Sequence, residues 1–214
     1  MDPKPFQLLY ANQNYNPMGK KTLIIIDNGH GKDSKGKCSP GFQLQEWAWT
    51  RKSARVLAGI LKAHGFRCSL LVPEDYDVSL GERCQRANKL HAQNGGRSVL
   101  LSLHCNASGN GVGYTSASGF SCYVHPAAST AAKELATKIW DKVAEEAALK
   151  GNRWRPSAGY LQANFAILRG TAMPAVLLEC LYMDNMNDIT LLLEPSWQNR
   201  LMQQVAAAVE EVCK

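Results

Sequence analysis

The sequence predicts an α/β fold: a single domain on a mixed, mostly parallel central sheet of about six strands, with helices on both faces. Three observations lead there. Short apolar runs of strand length alternate with longer segments whose apolar residues recur at helical spacing. The runs Leu23-Ile24-Ile25-Ile26 and Val99-Leu100-Leu101 are continuous, as in strands buried on both sides. The chain has 214 residues, 45% of them hydrophobic and 20% charged, which suits one packed core.

The elements follow in order. Residues 23–27 read as a buried strand, and 28–43, rich in glycine and lysine, as a loop. From Gln45 to His64, Trp49, Val56, Leu57, Ile60 and Leu61 recur at helical spacing, and Gly65 supplies the stop. Residues 67–72 form a second strand. Ser79, with Glu82 three residues on, is a capping box that opens a helix to Ala92. Residues 98–104 are the third strand and 120–125 the fourth, separated by a polar segment. A long amphipathic helix spans 129–150, and 151–159, with Trp154, is a loop. Residues 165–168 and 175–179 read as further strands. The last helix starts near Ser196 and carries Trp197, Leu201, Val205 and Val209 on one stripe. Residues 1–21 are a polar arm and 22–214 the folded domain.

Composition excludes several classes. The net charge of +6 is modest and scattered, without the aromatic-interleaved basic stripe of a nucleic-acid binder. It favours a polyanionic partner such as a bacterial cell wall. The first twenty residues lack the apolar core of a signal peptide, and no apolar run is long enough to span a membrane. Seven cysteines, an odd number with no Cys-x-x-Cys spacing, point to reduced thiols rather than a disulfide framework or a cysteine zinc site.

Two histidines follow apolar runs at strand ends, in Asp27-Asn28-Gly29-His30-Gly31 and in Ser102-Leu103-His104-Cys105-Asn106. Strand carboxyl ends are where sites in open α/β sheets lie. The two rings can converge on one ion, with Glu46 at the start of the first long helix as an acidic partner. Two imidazoles and a carboxylate around zinc, with an open fourth position, make a hydrolase. Each residue also has a plainer reading: His30 as a bystander in a tight turn, His104 as a core histidine, Glu46 as a first-turn acid favourable to the helix dipole. Asp27 is expected to orient the His30 ring, and Trp47 and Trp49 to wall Glu46. Glu179 ends the run Pro174-Ala175-Val176-Leu177-Leu178, where a carboxylate is costly unless paired or used. It reads as a general base, or as the partner of Arg169 or Arg83 in an ion pair. His64, His91 and His125 are left outside the metal set. Cys105 and Cys180 directly follow His104 and Glu179, so a Cys–His nucleophile is the rival. Alternation along a strand turns Cys105 away from the side that His104 faces, which weakens that rival.

In this order the motifs resemble those of the zinc-dependent N-acetylmuramoyl-L-alanine amidases, the family called amidase type 3. The resemblance runs through Ile26-Asp27-Asn28-Gly29-His30-Gly31, Glu46, Leu80-Gly81-Glu82-Arg83 with Ala87-Asn88, Ser102-Leu103-His104-Cys105-Asn106-Ala107, and Ile167-Leu168-Arg169-Gly170 through Glu179. It covers residues 22–212. It implies zinc on His30, Glu46 and His104, with Glu179 as the acid/base that cuts the amide between N-acetylmuramic acid and L-alanine in peptidoglycan. Arg169 would clamp a stem-peptide carboxylate or orient Glu179. The chain departs from the family at Asn28, in the lysine-rich loop after His30, and at Cys180-Leu181-Tyr182-Met183-Asp184-Asn185, changes expected at the cleft rim. The short segment 106–114 leaves no room for an inhibitory helix.

The expected partner is therefore peptidoglycan, with no nucleic acid and no membrane insertion, and the expected state a monomer. The alternatives are another zinc hydrolase, such as a carboxypeptidase or deacetylase, or a non-catalytic wall-binding module. A wall substrate for a thiol-rich chain without an export signal suggests a phage or prophage endolysin that accumulates in the cytoplasm. A secreted protein whose signal was removed is the other solution.

Overall fold

A computed structural model describes residues 22–145 and 157–213. The expected arm, 1–21, lies outside them, as do 146–150 of the long helix and most of the loop that follows, with Trp154. The strands are β1 (Leu23–Asn28), β2 (Arg67–Leu70), β3 (Ser98–Asn106), β4 (Ser121–Val124), β5 (Leu161–Gln162) and β6 (Ala175–Tyr182). The helices are α1 (Glu46–Ala63), α2 (Leu80–Gln93), α3 (Thr130–Glu145), α4 (Ala166–Arg169), α5 (Met186–Leu192) and α6 (Pro195–Cys213). The six strands form one sheet in the order β2-β1-β3-β6-β4-β5. The first four are parallel; β4 runs antiparallel to β6, and β5 follows β4. The sheet is thus mixed and mostly parallel, as expected.

Strand alternation divides the core in two. Ile24, Ile26, Leu101, Leu103, Val176 and Leu178 point to the face covered by α1, α3, α5 and α6. Leu23, Ile25, Leu100, Ala175 and Leu177 point to the other, covered by α2 and α4 through Ala87, Ile167 and Leu168 and by Val78 from the segment before α2. Burying each such aliphatic side chain contributes about 1.5–3 kcal/mol. On this second face the apolar series gives way to polar residues at the carboxyl ends of the strands. Ile25 is followed two places on by Asp27, Leu100 by Ser102 and His104, and Leu177 by Glu179. The same period of two that builds the core thus delivers these polar side chains to one side of the sheet.

Three local readings change. Residues 165–168 are not a strand: Phe165 is the N-cap of the single turn α4. Four apolar residues carry no period long enough to separate strand from helix, and the turn buries Ile167 and Leu168 against β6. Helix α5 was not anticipated, although Asn185 caps it by accepting from the amides of Asn187 and Asp188. The two-residue β5 also went unread. Among the described residues no helix is long and apolar enough to cross a membrane.

Candidate functional site

The site lies at the carboxyl edge of the sheet, in a cavity of about 450 Å³ lined by His30, Lys37, Glu46, Arg83, His104 and Glu179 among others. His30 follows β1, Glu46 is the first residue of α1, and His104 is near the end of β3. The structure brings these three together, with one donor atom from each lying within 4.8 Å of the others. His104 Nδ1 is 3.0 Å from Glu46 Oε1, which also accepts the Cys105 amide at 3.0 Å. His30 Nε2 lies 3.4 Å from Glu46 Oε2, and the two rings meet edge-on at 5.0 Å.

The backbone around His30 explains its flanking glycines. A Cβ on Gly29 would sit 2.3 Å from His104 Cε1, and one on Gly31 would sit 2.0 Å from the Asp77 amide nitrogen. His30 itself has φ of 61°, a left-handed conformation that is uncommon outside glycine. Two arginines hold it there: its carbonyl accepts from Arg51 Nη1 at 3.0 Å and Arg83 Nη2 at 3.1 Å. Thr50 Oγ1 secures the Gly29 carbonyl at 3.0 Å.

Arg83 is the structural centre of this turn. Its guanidinium also donates to Asp27 at 2.7 Å, to the carbonyls of Asn28 and Val78 at 2.8 Å each, and to Asp77 at 3.0 Å. Asp27 therefore does not orient His30. Its carboxylate takes Arg83 on one oxygen and the Ser102 hydroxyl, at 2.6 Å, on the other. Both partners of the Arg83–Asp27 pair are almost wholly buried. Arg83→Met is expected to cost about 3–5 kcal/mol by stranding the Asp27 charge, lowering the thermal midpoint by roughly 10 °C. Calorimetry checks this, and a loss under about 1 kcal/mol would show that the pair does not hold the turn.

Glu179 neighbours His104 across the β3–β6 pairing. Its carboxyl is buried, and Oε2 has no hydrogen-bond partner. Burial pushes it up to about 7; the His104 and Lys37 charges pull it down and the Glu46 charge raises it. Neither arginine pairs with it, since Arg83 holds Asp27. Arg169 is exposed at the end of α4 and donates to the Asn164 side chain at 2.8 Å and carbonyl at 3.2 Å. It lines a separate depression beside His125 rather than the cavity that holds Glu179, so the structure does not bring these two together.

Burial pushes His30 down to about 4, with the His104 and Lys37 charges acting the same way and Glu46 opposing. Burial would raise Glu46, but its hydrogen bond to His104 and the imidazole charges hold it below the usual carboxylate range. The remaining histidines stay apart: His64 pairs with Glu210, His91 with Ser98 and His125 with Asn164. The tryptophans do not wall Glu46. Trp49 packs in the core and donates to the Leu192 carbonyl at 2.8 Å, while Trp47 lies under Arg51.

The thiol rival fails on position. The Cys105 and Cys180 side chains lie in the core on the opposite face, and burial pushes both thiols well above their ordinary value. Sequence reasoning also misplaced Asp184 and Asn185, which are buried rather than on the rim. Asp184 accepts the amides of Ser108 at 2.9 Å and Gly109 at 2.7 Å, tying down the loop after β3. The Asn28 side chain, also buried, donates to the Val72 carbonyl at 3.0 Å.

The donor set fits a divalent cation. Two imidazoles and a carboxylate are a zinc hydrolase's usual ligands. Glu46 Oε2 is buried with no hydrogen-bond donor, an unsatisfied acceptor that a cation would satisfy.

Comparison with known proteins gives a consistent result. Residues 24–211 match the family model described as N-acetylmuramoyl-L-alanine amidase. The N-acetylmuramoyl-L-alanine amidase CwlM of Bacillus licheniformis is 34% identical over 77% of the chain and 58% of its own length. The endolysin of Bacillus phage SPP1 is 27% identical over 89% of the chain and 65% of its own length. The chain thus spans less than two thirds of either relative. Among solved structures, the N-acetylmuramoyl-L-alanine amidase from Clostridium difficile 630 superposes with a TM-score of 0.78 at 26% identity, covering 90% of this chain and 97% of that one.

Proposed function

We propose, from the premise that the chain belongs to the N-acetylmuramoyl-L-alanine amidase family, that it hydrolyses the amide joining N-acetylmuramic acid to L-alanine in peptidoglycan. The observation that carries this reading is the convergence of His30, Glu46 and His104 beside the buried carboxyl of Glu179.

In this reading His30, Glu46 and His104 hold one zinc ion. Bound there, the ion supplies Lewis acidity toward water and toward the scissile carbonyl. Glu179 does the proton work. Its carboxyl takes a proton from the attacking water and passes one to the departing alanine amine. Burial supports that role, because a carboxyl held near neutrality can both accept and donate at cellular pH. Arg83 and Arg51 keep the His30 backbone in place through turnover.

Product analysis tests the reading. Digested wall should yield peptides with a new alanine amino terminus and no free acetate. Acetate release would assign the chain to the deacetylases, and loss of carboxyl-terminal residues to the carboxypeptidases.

The catalytic unit in this proposal is residues 22–214, acting as a monomer. We also propose that the protein accumulates in the cytoplasm and reaches the wall as a phage or prophage endolysin. Two observations support this: the seven cysteines are free thiols, which suits a reducing compartment, and one similar protein is a phage endolysin.

A further inference from the structure

Cations are scarce in the catalytic cavity. Of its lining residues only Lys37 and Arg83 carry a permanent positive charge, against the carboxylates of Asp27, Glu46, Asp77 and Glu179. Arg83 is committed, with all three of its nitrogens donating to protein acceptors. Lys37 is exposed and makes no ion pair with any described residue. Lys32 and Lys35, on the same loop, do not line the cavity.

The backbone of Lys37 is fixed beside the site. Its carbonyl accepts the Glu46 amide at 3.0 Å, and Cys38 forms an antiparallel bridge with Gln45. Ser39 closes the loop twice, donating its amide to the Leu44 carbonyl and accepting the Leu44 amide on its hydroxyl, each at 2.9 Å.

We propose that Lys37 determines specificity, its ammonium taking a free carboxylate on the peptide side of the substrate. The inference rests on the amidase reading above. The sugar acid's own carboxyl is consumed in the scissile amide, so the nearest free carboxylate belongs to the peptide. Asp27 and Asp77 are paired with Arg83 and Glu46 belongs to the metal-binding cluster, so Lys37, the one uncommitted cation among the described residues that line the cavity, is the group placed to meet a carboxylate on the peptide.

The test is calorimetric binding to the zinc-loaded protein in a Glu179→Gln background, which prevents turnover. Two probes are compared: an N-acetylmuramoyl dipeptide whose second residue has a free carboxylate, and the same compound as its primary carboxamide. With Lys37 present the acid should bind about tenfold tighter, the scale of one charge-assisted hydrogen bond. Lys37→Met should abolish that preference and leave carboxamide affinity unchanged; Lys37→Arg should keep most of it and Lys35→Met all of it. The proposal is overturned if Lys37→Met retains the preference, if Lys35→Met removes it, or if the parent binds both compounds equally. If Lys37 discriminates but the native enzyme releases no alanine-terminated peptide, the binding claim stands and the reaction assignment falls.

Discussion

Glu179→Gln is expected to lower peptidoglycan hydrolysis by roughly 10²- to 10⁴-fold, the contribution of a positioned acid–base group. Glutamine keeps the shape of the side chain but cannot take the proton. Glu179 stands outside the cluster of His30, Glu46 and His104, so bound zinc should stay at one ion per chain. Wall-clearing rates and metal analysis on the same preparation check both halves. A rate within a few-fold of the parent would remove Glu179 from the mechanism.

The same substitution has a pH signature in the metal-free protein. Burial raises Glu179 from 4.5 to about 7, so the folded chain holds this proton more tightly than the unfolded one. A raised carboxyl contributes stability that is fully present below about 4.5 and is lost as pH rises through about 7. Glutamine does not titrate and keeps that contribution. Metal-free Glu179→Gln should therefore be the more stable protein at pH 8, by on the order of 3 kcal/mol. The two should converge near pH 4. Denaturant unfolding at both pH values decides, and a difference that does not change with pH would mean that burial does not hold the proton.

Much of this was legible because period and chemistry coincide in the strands. The alternation that buries Leu100 and Leu177 also places His104 and Glu179, so reading the core amounted to reading the site. Gly29 and Gly31 were recognised as turn residues, but their real constraint is distant in sequence: the His104 ring and the Asp77 backbone. The Arg83–Asp27 pair stayed hidden for the same reason. It joins residues 56 positions apart, whereas His30 stands only three positions from Asp27. Phe165–Leu168 was misread because four apolar residues define no period. Asp184 and Asn185 look like rim polars, yet they bind backbone amides and are buried, a role that only the folded loop reveals.

His104→Ala and His30→Ala should each leave the protein short of one zinc per chain, with activity falling in parallel, but they should differ in stability. His104 donates to Glu46 Oε1, and its loss leaves that oxygen with the Cys105 amide alone. A buried carboxylate so stripped costs about 1–3 kcal/mol in the metal-free protein. His30, which burial pushes down to about 4, is neutral at pH 7 and stands 3.4 Å from Glu46 Oε2, so its removal should change metal-free stability much less. Zinc uptake should also strengthen with rising pH. Burial alone would lower His104, but the hydrogen bond and charge of Glu46 outweigh it and raise its proton affinity. That proton leaves when a cation takes its place. Titration calorimetry in buffers of different ionisation enthalpy measures the release. Full zinc stoichiometry in His104→Ala, or uptake without proton release, would show that the ion is held elsewhere.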